Sequence, residues 1–496
     1  MTDMILIEKM LRGCEAEKLH LSGAIQPFGA LLCLQSEGGT ISHASANLAE
    51  FLSLDPQAVI GRTLDQVVPS LSRAISVLAT TPGETAVVRN VMQNAQGHID
   101  ALLIRGEDFV VVELEYNTPP AEPIPVQHLQ QPFLSAPQSA EDCDRYHQHL
   151  VESFRKVIGY DRIMMYRFTP DWSGEVVAEA TAPGVGSYMG LRFPASDIPA
   201  IARNIYMLNP ARMIPDTQAM PVPVLGSEER VPDLTRSDVR SVSPVHLEYL
   251  ANMGVRASFS VPIRIAGRLW GLVACHHRTP LPLTPDHRNA CVMLASTYTL
   301  GLSTYISSHR LKVIDSLDRK IDAVLEKLGT YTDPLDGIEI NGQALLDTVG
   351  ANGFAMAIKE DVVINGDGPG VDGLSVIDDW FVNHCNELVL SSDHLSDLFP
   401  DRPEVLHAAS GMLAIKAQSP RSGWVRFYWF REAEPQHVAW AGNPNKPMIE
   451  NAGAMALSPR RSFERWVEIK SDYSRPWSRE EQIVAAKFRN NLLRWL

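Results

Sequence analysis

A chain of 496 residues is long enough for about three domains, each with its own core. With 45% hydrophobic and 21% charged residues the composition is that of globular proteins, and a net charge of −14 argues against a free-standing nucleic-acid binder, which would carry a basic surplus. No apolar run approaches the ~18 residues of a membrane helix, Met1 to Gly13 lacks a signal-peptide layout, and six scattered cysteines without a C-x-x-C pair predict a reducing cytoplasm, with neither a disulfide framework nor a zinc site.

The first segment, Ile25 to Tyr116, reads as mixed α/β. Ala30 to Leu34 and Phe109 to Leu114 are short apolar runs, with a Gly-Gly turn at Gly38–Gly39. Four prolines between Thr118 and Pro125 cannot propagate a helix or a central strand, so a linker is expected there. In the second segment, Gln138 to Cys291, helix is predicted over Val151 to Ile158 and strand over Arg162 to Phe168. Ser258 to Arg264 and Leu269 to His276 predict a hairpin turning at Gly267. Thr284, Pro285 and Asp286 then open the longest helical pattern, which runs to Leu328 and stops at Gly329. Ile314, Leu317, Ile321, Val324 and Leu328 recur as in a coiled-coil seam. Such a stripe can pack on its own domain; the length of the pattern favours a self-pairing or relay helix. The third segment, Thr330 to Leu496, is again mixed, with an aromatic strand at Gly423 to Phe430. It ends in a helix from Arg479 whose apolar positions are Ile483, Ala486, Phe488, Leu492 and Leu493.

Several constellations could carry chemistry. Cys14 lies in an N-terminal arm, G-C-E-A-E-K-L-H, where Arg12 and Lys18 would help its thiol ionise and Glu15 and Glu17 would oppose. In R-F-P-A-S-D-I-P (Arg192 to Pro199) two prolines stiffen the backbone around Asp197, presenting a carbonyl and a carboxylate in fixed directions. The same residues also suit a loop that caps a helix over Ala200 to Met207. S-P-V-H-L-E-Y (Ser243 to Tyr249) and Cys275-His276-His277 offer His246, Tyr249 and His276. Adjacent histidines on a strand point to opposite faces, so a metal site is not expected. The G-x-G-x-x-G at Gly368, Gly370 and Gly373 is read as a flexible turn, because Asp367 and Asp372 would repel a pyrophosphate. No P-loop, G-x-S-x-G or H-E-x-x-H occurs.

The order of these motifs is more telling than any one. The arm cysteine, S-G-A-I-Q-P-F-G (Ser22 to Gly29), P-A-S-D-I-P, S-P-V-H-L-E-Y-L, W-G-L-V-A-C-H-H and P-R-R-S-F follow one another as in a bacteriophytochrome, which the chain resembles over essentially its whole length. The resemblance implies an α+β (mixed α/β) fold of three consecutive antiparallel-sheet domains, PAS, GAF and PHY, joined by long helices, with a PHY tongue hairpin. The implied divisions are an arm (1–24), PAS (25–117), linker (118–137), GAF (138–302), linker helix (303–329) and PHY (330–496), the tongue at about 435–476.

It further implies a biliverdin chromophore on Cys14. Val245 fills the place where plant and many cyanobacterial phytochromes keep a cysteine, which favours biliverdin over a reduced bilin. By the same resemblance the Asp197 carbonyl faces the pyrrole nitrogens and His246 the inner rings. Arg212, Arg240 and Tyr206 match positions near one propionate, Ser258 and Ser260 those near the other. Phe193, Tyr166 and Tyr249 match the pocket of the rotating ring, with His276 as its polar tether. Ile25 falls near the knot through which the arm passes, and Phe28 stands where the family often has histidine. Trp440, Arg460 and Ser462 mark the tongue, with Arg460 in a planar, two-pronged ion pair to Asp197. The run Ser462 to Lys470 fits strand and helix alike, as a segment that changes structure between two light states would.

The implied function is a red/far-red photoreceptor module, non-enzymatic in itself and homodimeric. It would regulate a C-terminal output such as a histidine kinase or another signalling enzyme, which this chain lacks. No nucleic acid, membrane or metal partner is expected. The competing readings are a PAS/GAF sensor of small molecules without pigment, and an enzyme built on Cys275, His276 and His277.

Overall fold

The computed structural model describes residues 18–35, 39–120, 122–226, 231–406, 408–419, 423–444 and 460–495. They form three sheets within two compact units. One unit holds the described residues up to Thr304 together with Ala439–Trp466; the other holds Tyr305–Val438 and the residues from Val467 onward.

The first sheet is governed by period-two alternation. In the strand Phe109–Asn117, Val110, Val112 and Leu114 pack inward against Leu32, Leu34, Leu48, Phe51 and Leu103. Val111 and Glu113 point to the other face, which is also covered: Ile25, Leu31, Cys33, Leu234 and Val239 cluster there. The strands run antiparallel in the order Ala24–Ile25, Val222–Gly226, Ile41–Ser45, Gly29–Gln35, Phe109–Asn117, Gly97–Arg105 and Thr85–Asn94. Val222–Gly226 comes from the second sequence segment yet serves as an inner strand of the first segment's sheet. No local signal in the sequence announces that.

The second sheet contains the hairpin Ala257–Ile265 and Arg268–His277, one strand in from its edge. Ala266 and Gly267 both have positive φ, as a tight two-residue turn between twisted strands requires. Arg212–Ile214 flanks the hairpin on one side and Arg162–Phe168, Gly174–Thr181 and Arg192–Phe193 follow on the other. Beyond Arg192 the sheet takes on a parallel neighbour, Trp440. The helix Ala140–Ile158 is capped by the Ser139 hydroxyl, which accepts from the Asp142 amide at 3.1 Å. It buries Tyr146 in a stack on Tyr298, with ring centroids 5.0 Å apart.

Tyr298 belongs to the helix Pro285–Leu328, whose residues up to Thr304 lie in one unit and from Tyr305 in the other. Its second half corrects the expectation of a self-pairing seam. Ile321, Val324 and Leu328 are buried in a core with Phe354, Phe427, Trp429 and Phe488, so the seam packs on its own unit. The 3–4 spacing is the same for both outcomes; what decides is the apolar surface waiting nearby. That core belongs to the third sheet, ordered Asp361–Gly366, Gly353–Ile358, Gly423–Arg431, Gly411–Ser419 and Val389–Ser392. The helix Arg479–Trp495 covers it with Val484, Ala485 and Phe488, while Ile483 is 38% exposed. The buried stripe thus lies one residue beyond the expected Ile483. Gly368 and Gly370 lie between a strand and the helix Val371–Asn383, and Gly373 is buried inside that helix. No helix among the described residues is long and apolar enough to cross a membrane.

Candidate functional site

The second sheet presents one face to a cavity of ≈ 240 Å³. Cross-strand register explains which residues reach it. Arg212 pairs with Ser260, Ser260 with Ala274 and Ala274 with Met164, one row across four strands. The next row is Ile214, Ser258, His276 and Arg162, and a third pairs Leu272 with Tyr166. All but Arg162 line the cavity, and the alternate residues Phe259 and Cys275 are buried on the far side. Two helices close over this floor. Ala200–Leu208 contributes Ile201, Ala202, Ile205 and Tyr206; Pro244–Asn252 contributes Val245, His246, Tyr249 and Leu250. Each set falls on one face of a 3.6-residue period.

At one end sit two cations, Arg240 buried and Arg212 half-buried. Arg212 donates to the carbonyls of Asp238 (2.6 Å), Ser241 (3.2 Å), Arg240 and Ser237. Arg240 donates to the Thr235 carbonyl at 3.3 Å. Among the described residues neither has a carboxylate within salt-bridge distance. Burial lowers the Arg212 guanidinium, against the pull of Asp238. Burial and the neighbouring Arg212 push Arg240 down to about 9. Tyr206 and Ser260 join hydroxyls at 2.8 Å beside them. Carbonyl dipoles solvate a guanidinium without neutralising it, so this end retains positive charge for an anion.

At the other end Asp197 is paired. Arg460 forms two hydrogen bonds to its carboxylate, Nε to Oδ1 at 3.1 Å and Nη2 to Oδ2. Tyr249 donates its hydroxyl to Oδ2 at 2.9 Å. Burial raises the Asp197 carboxyl, while Arg460 and Tyr249 hold it down. Burial alone would lower the Arg460 guanidinium, but Asp197 raises it. Arg460 also donates to the Ala441 carbonyl, and its own carbonyl accepts from Asn252 at 3.1 Å. Gly442, at φ 83°, lets Ser462 come close: a Cβ there would meet the Ser462 carbonyl oxygen at 2.1 Å. Phe463 packs edge-on against Tyr249, centroids 5.4 Å apart.

Between the two ends, His246 stacks on Tyr249 across one helical turn. Burial and Arg212 push His246 down to about 4; burial, then Arg162 and His246, push His276 to about 3. Both rings are neutral near pH 7. Nδ1 of His276 is buried and has no hydrogen-bond partner among the described residues. Such an orphan costs about 1–3 kcal/mol unless a ligand group meets it. Unneutralised arginines, an orphaned imidazole nitrogen and an apolar lid together fit an elongated, mostly apolar molecule that carries carboxylates.

The residues singled out in the sequence fall into three groups. Tyr166, Phe193, Asp197, Tyr206, Arg212 and Arg240 line this cavity, as do His246, Tyr249, Ser258, Ser260, His276 and Arg460. Ile25, Trp440 and Ser462 do not. Ile25 is buried beside the Val222 strand and bridges to the Arg240 backbone. Trp440 is buried next to Arg192, and Ser462 is exposed. Cys14, Gly38 and Pro459 lie outside the described residues. Within Ser462 to Lys470, Arg465–Lys470 is a strand, with Val467 and Ile469 on its exposed face. Met164, Leu272, Ala274, Ile201 and Ile205 were not anticipated; alternation from His276 would have found Ala274 and Leu272, alternation from Tyr166 Met164, and the helical face shared with Tyr206 Ile201 and Ile205. Among the described residues no cluster of His, Cys, Asp and Glu could hold a metal ion.

Comparison with known proteins gives this geometry its setting. Residues 14–117 match the PAS fold family, 144–300 the GAF domain family and 317–496 the phytochrome region family. The chain is 30% identical to a bacteriophytochrome of Xanthomonas campestris, covering 94% of this chain and 75% of that protein. It is 31% identical to cyanobacterial phytochrome B of Nostoc, over 97% of this chain but only 66% of the relative's length. The phytochrome photosensory core module of Stigmatella aurantiaca superimposes with a TM-score of 0.83 at 30% identity, covering 97% of each chain.

Proposed function

We propose, because this chain belongs to the PAS–GAF–PHY phytochrome family, that it is the light-sensing core of a red/far-red photoreceptor and that its cavity holds biliverdin attached to Cys14. The observation that carries the reading is the pair Arg212 and Arg240, two guanidiniums on a mostly apolar cavity with no carboxylate within salt-bridge distance among the described residues. When bound, a linear tetrapyrrole supplies red absorption, two propionates and a double bond whose geometry light can change.

The residues divide the work. Arg212, Arg240 and Tyr206 hold one carboxylate, and Ser258 and Ser260 the other. The Asp197 carbonyl and neutral His246 would serve the ring nitrogens, and neutral His276 would offer Nδ1, which has no partner among the described residues, to a polar ring substituent. Tyr166, Phe193 and Tyr249 form the aromatic walls around the ring that moves. Leu19 lines the cavity five residues beyond Cys14, and five residues of chain reach at most about 17 Å, so the thiol can come to the pocket. In this reading a change at the walls acts on Tyr249, hence on Asp197 and Arg460, and so on the segment that carries Trp440 and Ser462. A homodimer and a C-terminal signalling output would be its partners.

Adding biliverdin to the pigment-free protein tests the proposal. A red absorption band that denaturation does not separate from the polypeptide is expected. Cys14→Ala should keep the band but release the pigment on denaturation, because the pocket supplies the affinity and the thiol only the covalent bond. No band in the wild-type protein with Cys14 reduced would overturn the reading in favour of a pigment-free PAS/GAF sensor.

A further inference from the structure

Glu113 is an acid that the pocket does not use, in a place where an acid needs a reason. It stands on the first sheet between Leu31 and Leu102 of the neighbouring strands, 1% exposed, on the face covered by Leu234 and Val239. Its Oε1 accepts the Asp238 amide at 3.0 Å. Its Oε2 is buried, as is the hydroxyl of Ser237, which lines the cavity and as a hydrogen-bonding neighbour lowers the Glu113 carboxyl.

The stretch that Glu113 grips is the one that holds the cations. The carbonyls of Ser237, Asp238, Arg240 and Ser241 all accept from Arg212, and Arg240 is part of the stretch. The Asp238 side chain accepts from the Met213 amide at 3.3 Å. The charged and titratable groups around Glu113 come from every element packed on it. They are Cys33 and Glu115 on the sheet, Asp238 on the stretch, Arg212 beside it, and Arg288 of the long helix, which reaches Glu115 at 2.7 Å and Asp238 at 3.7 Å. Burial first, then Asp238 and Glu115, push Glu113 up to about 8 against Ser237 and Arg288.

We propose that Glu113, a residue of the first sheet, is a positioning residue for the anion-binding end of the cavity: its grip on the Asp238 amide fixes the backbone that holds Arg212 and carries Arg240, and its ionisation weakens the attraction those cations exert on a ligand carboxylate. The proposal rests on the reading that the cavity takes a carboxylate-bearing pigment.

The test compares the formation of the red band from biliverdin and from its dimethyl ester. Both share the same reactive vinyl group and the same Cys14, so their ratio cancels thiol ionisation and isolates carboxylate recognition. In the wild-type protein the preference for the free acid should fall about twofold between about pH 6 and about pH 8, as Glu113 begins to ionise and before Arg240 loses its charge. Glu113→Gln keeps an acceptor for the amide but cannot ionise, and its preference should be flat across that range. Glu113→Ala frees the stretch and should lower the preference at both pH values. A wild-type pH dependence surviving in Glu113→Gln, or a wild-type ratio in Glu113→Ala, overturns this inference alone. Should Glu113→Ala fail to fold, the Glu113→Gln profile decides. No band from either compound in the wild-type protein overturns the pigment reading, and this inference with it.

Discussion

At one end of the cavity Arg212 and Arg240 are held by backbone carbonyls; at the other Arg460 is held by a carboxylate. Arg212 reaches its carbonyl partners within 29 positions along the chain, whereas Arg460 reaches Asp197 across 263 residues. A cation among neutral dipoles keeps its charge for a ligand. A cation locked on a carboxylate in the interior has none to offer, and its effect is to fasten one segment to another. The first end is therefore suited to recognition and the second to fastening, as a latch does. Mutations should separate the two behaviours.

The largest effect is expected at the latch. Arg460→Ala leaves the Asp197 carboxylate buried without its cation, a change that costs about 3–5 kcal/mol where a buried pair is broken. Only the segment around Arg460 should be released, so the sensitive measurement is hydrogen exchange at the Gly442 amide, which donates to the Glu464 carbonyl at 2.7 Å. The defect should depend on pH in a defined sense. Burial already raises Asp197, and without Arg460 it rises further. A carboxyl raised in the folded state contributes stability while it carries its proton. The loss should therefore be smallest below the ordinary aspartate value of about 4 and grow as the pH climbs through the raised one. Unchanged protection of Gly442 in Arg460→Ala at neutral pH would show that the ion pair fastens nothing.

At the recognition end the expected effect is smaller and falls on binding. Arg212→Ala removes a charged hydrogen-bond donor worth about 1.5–3 kcal/mol, or roughly 10- to 150-fold in the affinity for biliverdin. The dimethyl ester, with no carboxylate to lose, should be affected far less. Gly442 exchange should not change at all. Equal losses for acid and ester in an absorbance titration would mean that Arg212 acts by packing rather than by charge.

How much of this could be read from the sequence depended on distance along the chain. P-A-S-D-I-P, S-P-V-H-L-E-Y and the Cys275-His276-His277 strand are local patterns, and local rules place them correctly. Strand alternation puts His276 and His277 on opposite faces, and in the structure only His276 reaches the cavity while His277 pairs with Asp161 at 3.0 Å. The aromatic strand Gly423–Arg431 and the helix beginning at Pro285 follow from composition and capping in the same way. What escaped was non-local. Nothing in V-P-V-L-G says that Val222–Gly226 will complete another segment's sheet. The V-E-L-E alternation within Val112 to Glu115 looks like a half-solvated strand, yet both of its faces are covered and Glu113 is buried. The stripe of Ile321, Val324 and Leu328 has the spacing of a coiled coil, and only the nearby Phe354 and Phe427 turn it into an internal core. In each case local periodicity was right and the identity of the covering surface was missing.

The smallest effect sharpens the comparison most. Tyr206 stands beside the arginines and shares a 2.8 Å hydrogen bond with Ser260, so its hydroxyl could either bind a carboxylate directly or merely orient Ser260. Tyr206→Phe keeps the ring that packs in the lid and removes one neutral hydroxyl, which is worth about 0.5–1.5 kcal/mol, or roughly 2- to 12-fold in affinity. Neutral hydrogen bonds do not weaken with salt as charge attraction does. The deficit of Tyr206→Phe for biliverdin should therefore be constant as ionic strength rises, while any salt dependence of wild-type binding should shrink in Arg212→Ala. If Tyr206→Phe instead lost as much affinity as Arg212→Ala, the hydroxyl would be part of a single network with the guanidinium. The recognition end would then be as cooperative as the latch, and the contrast between the two ends would lie only in which of them a ligand can reach.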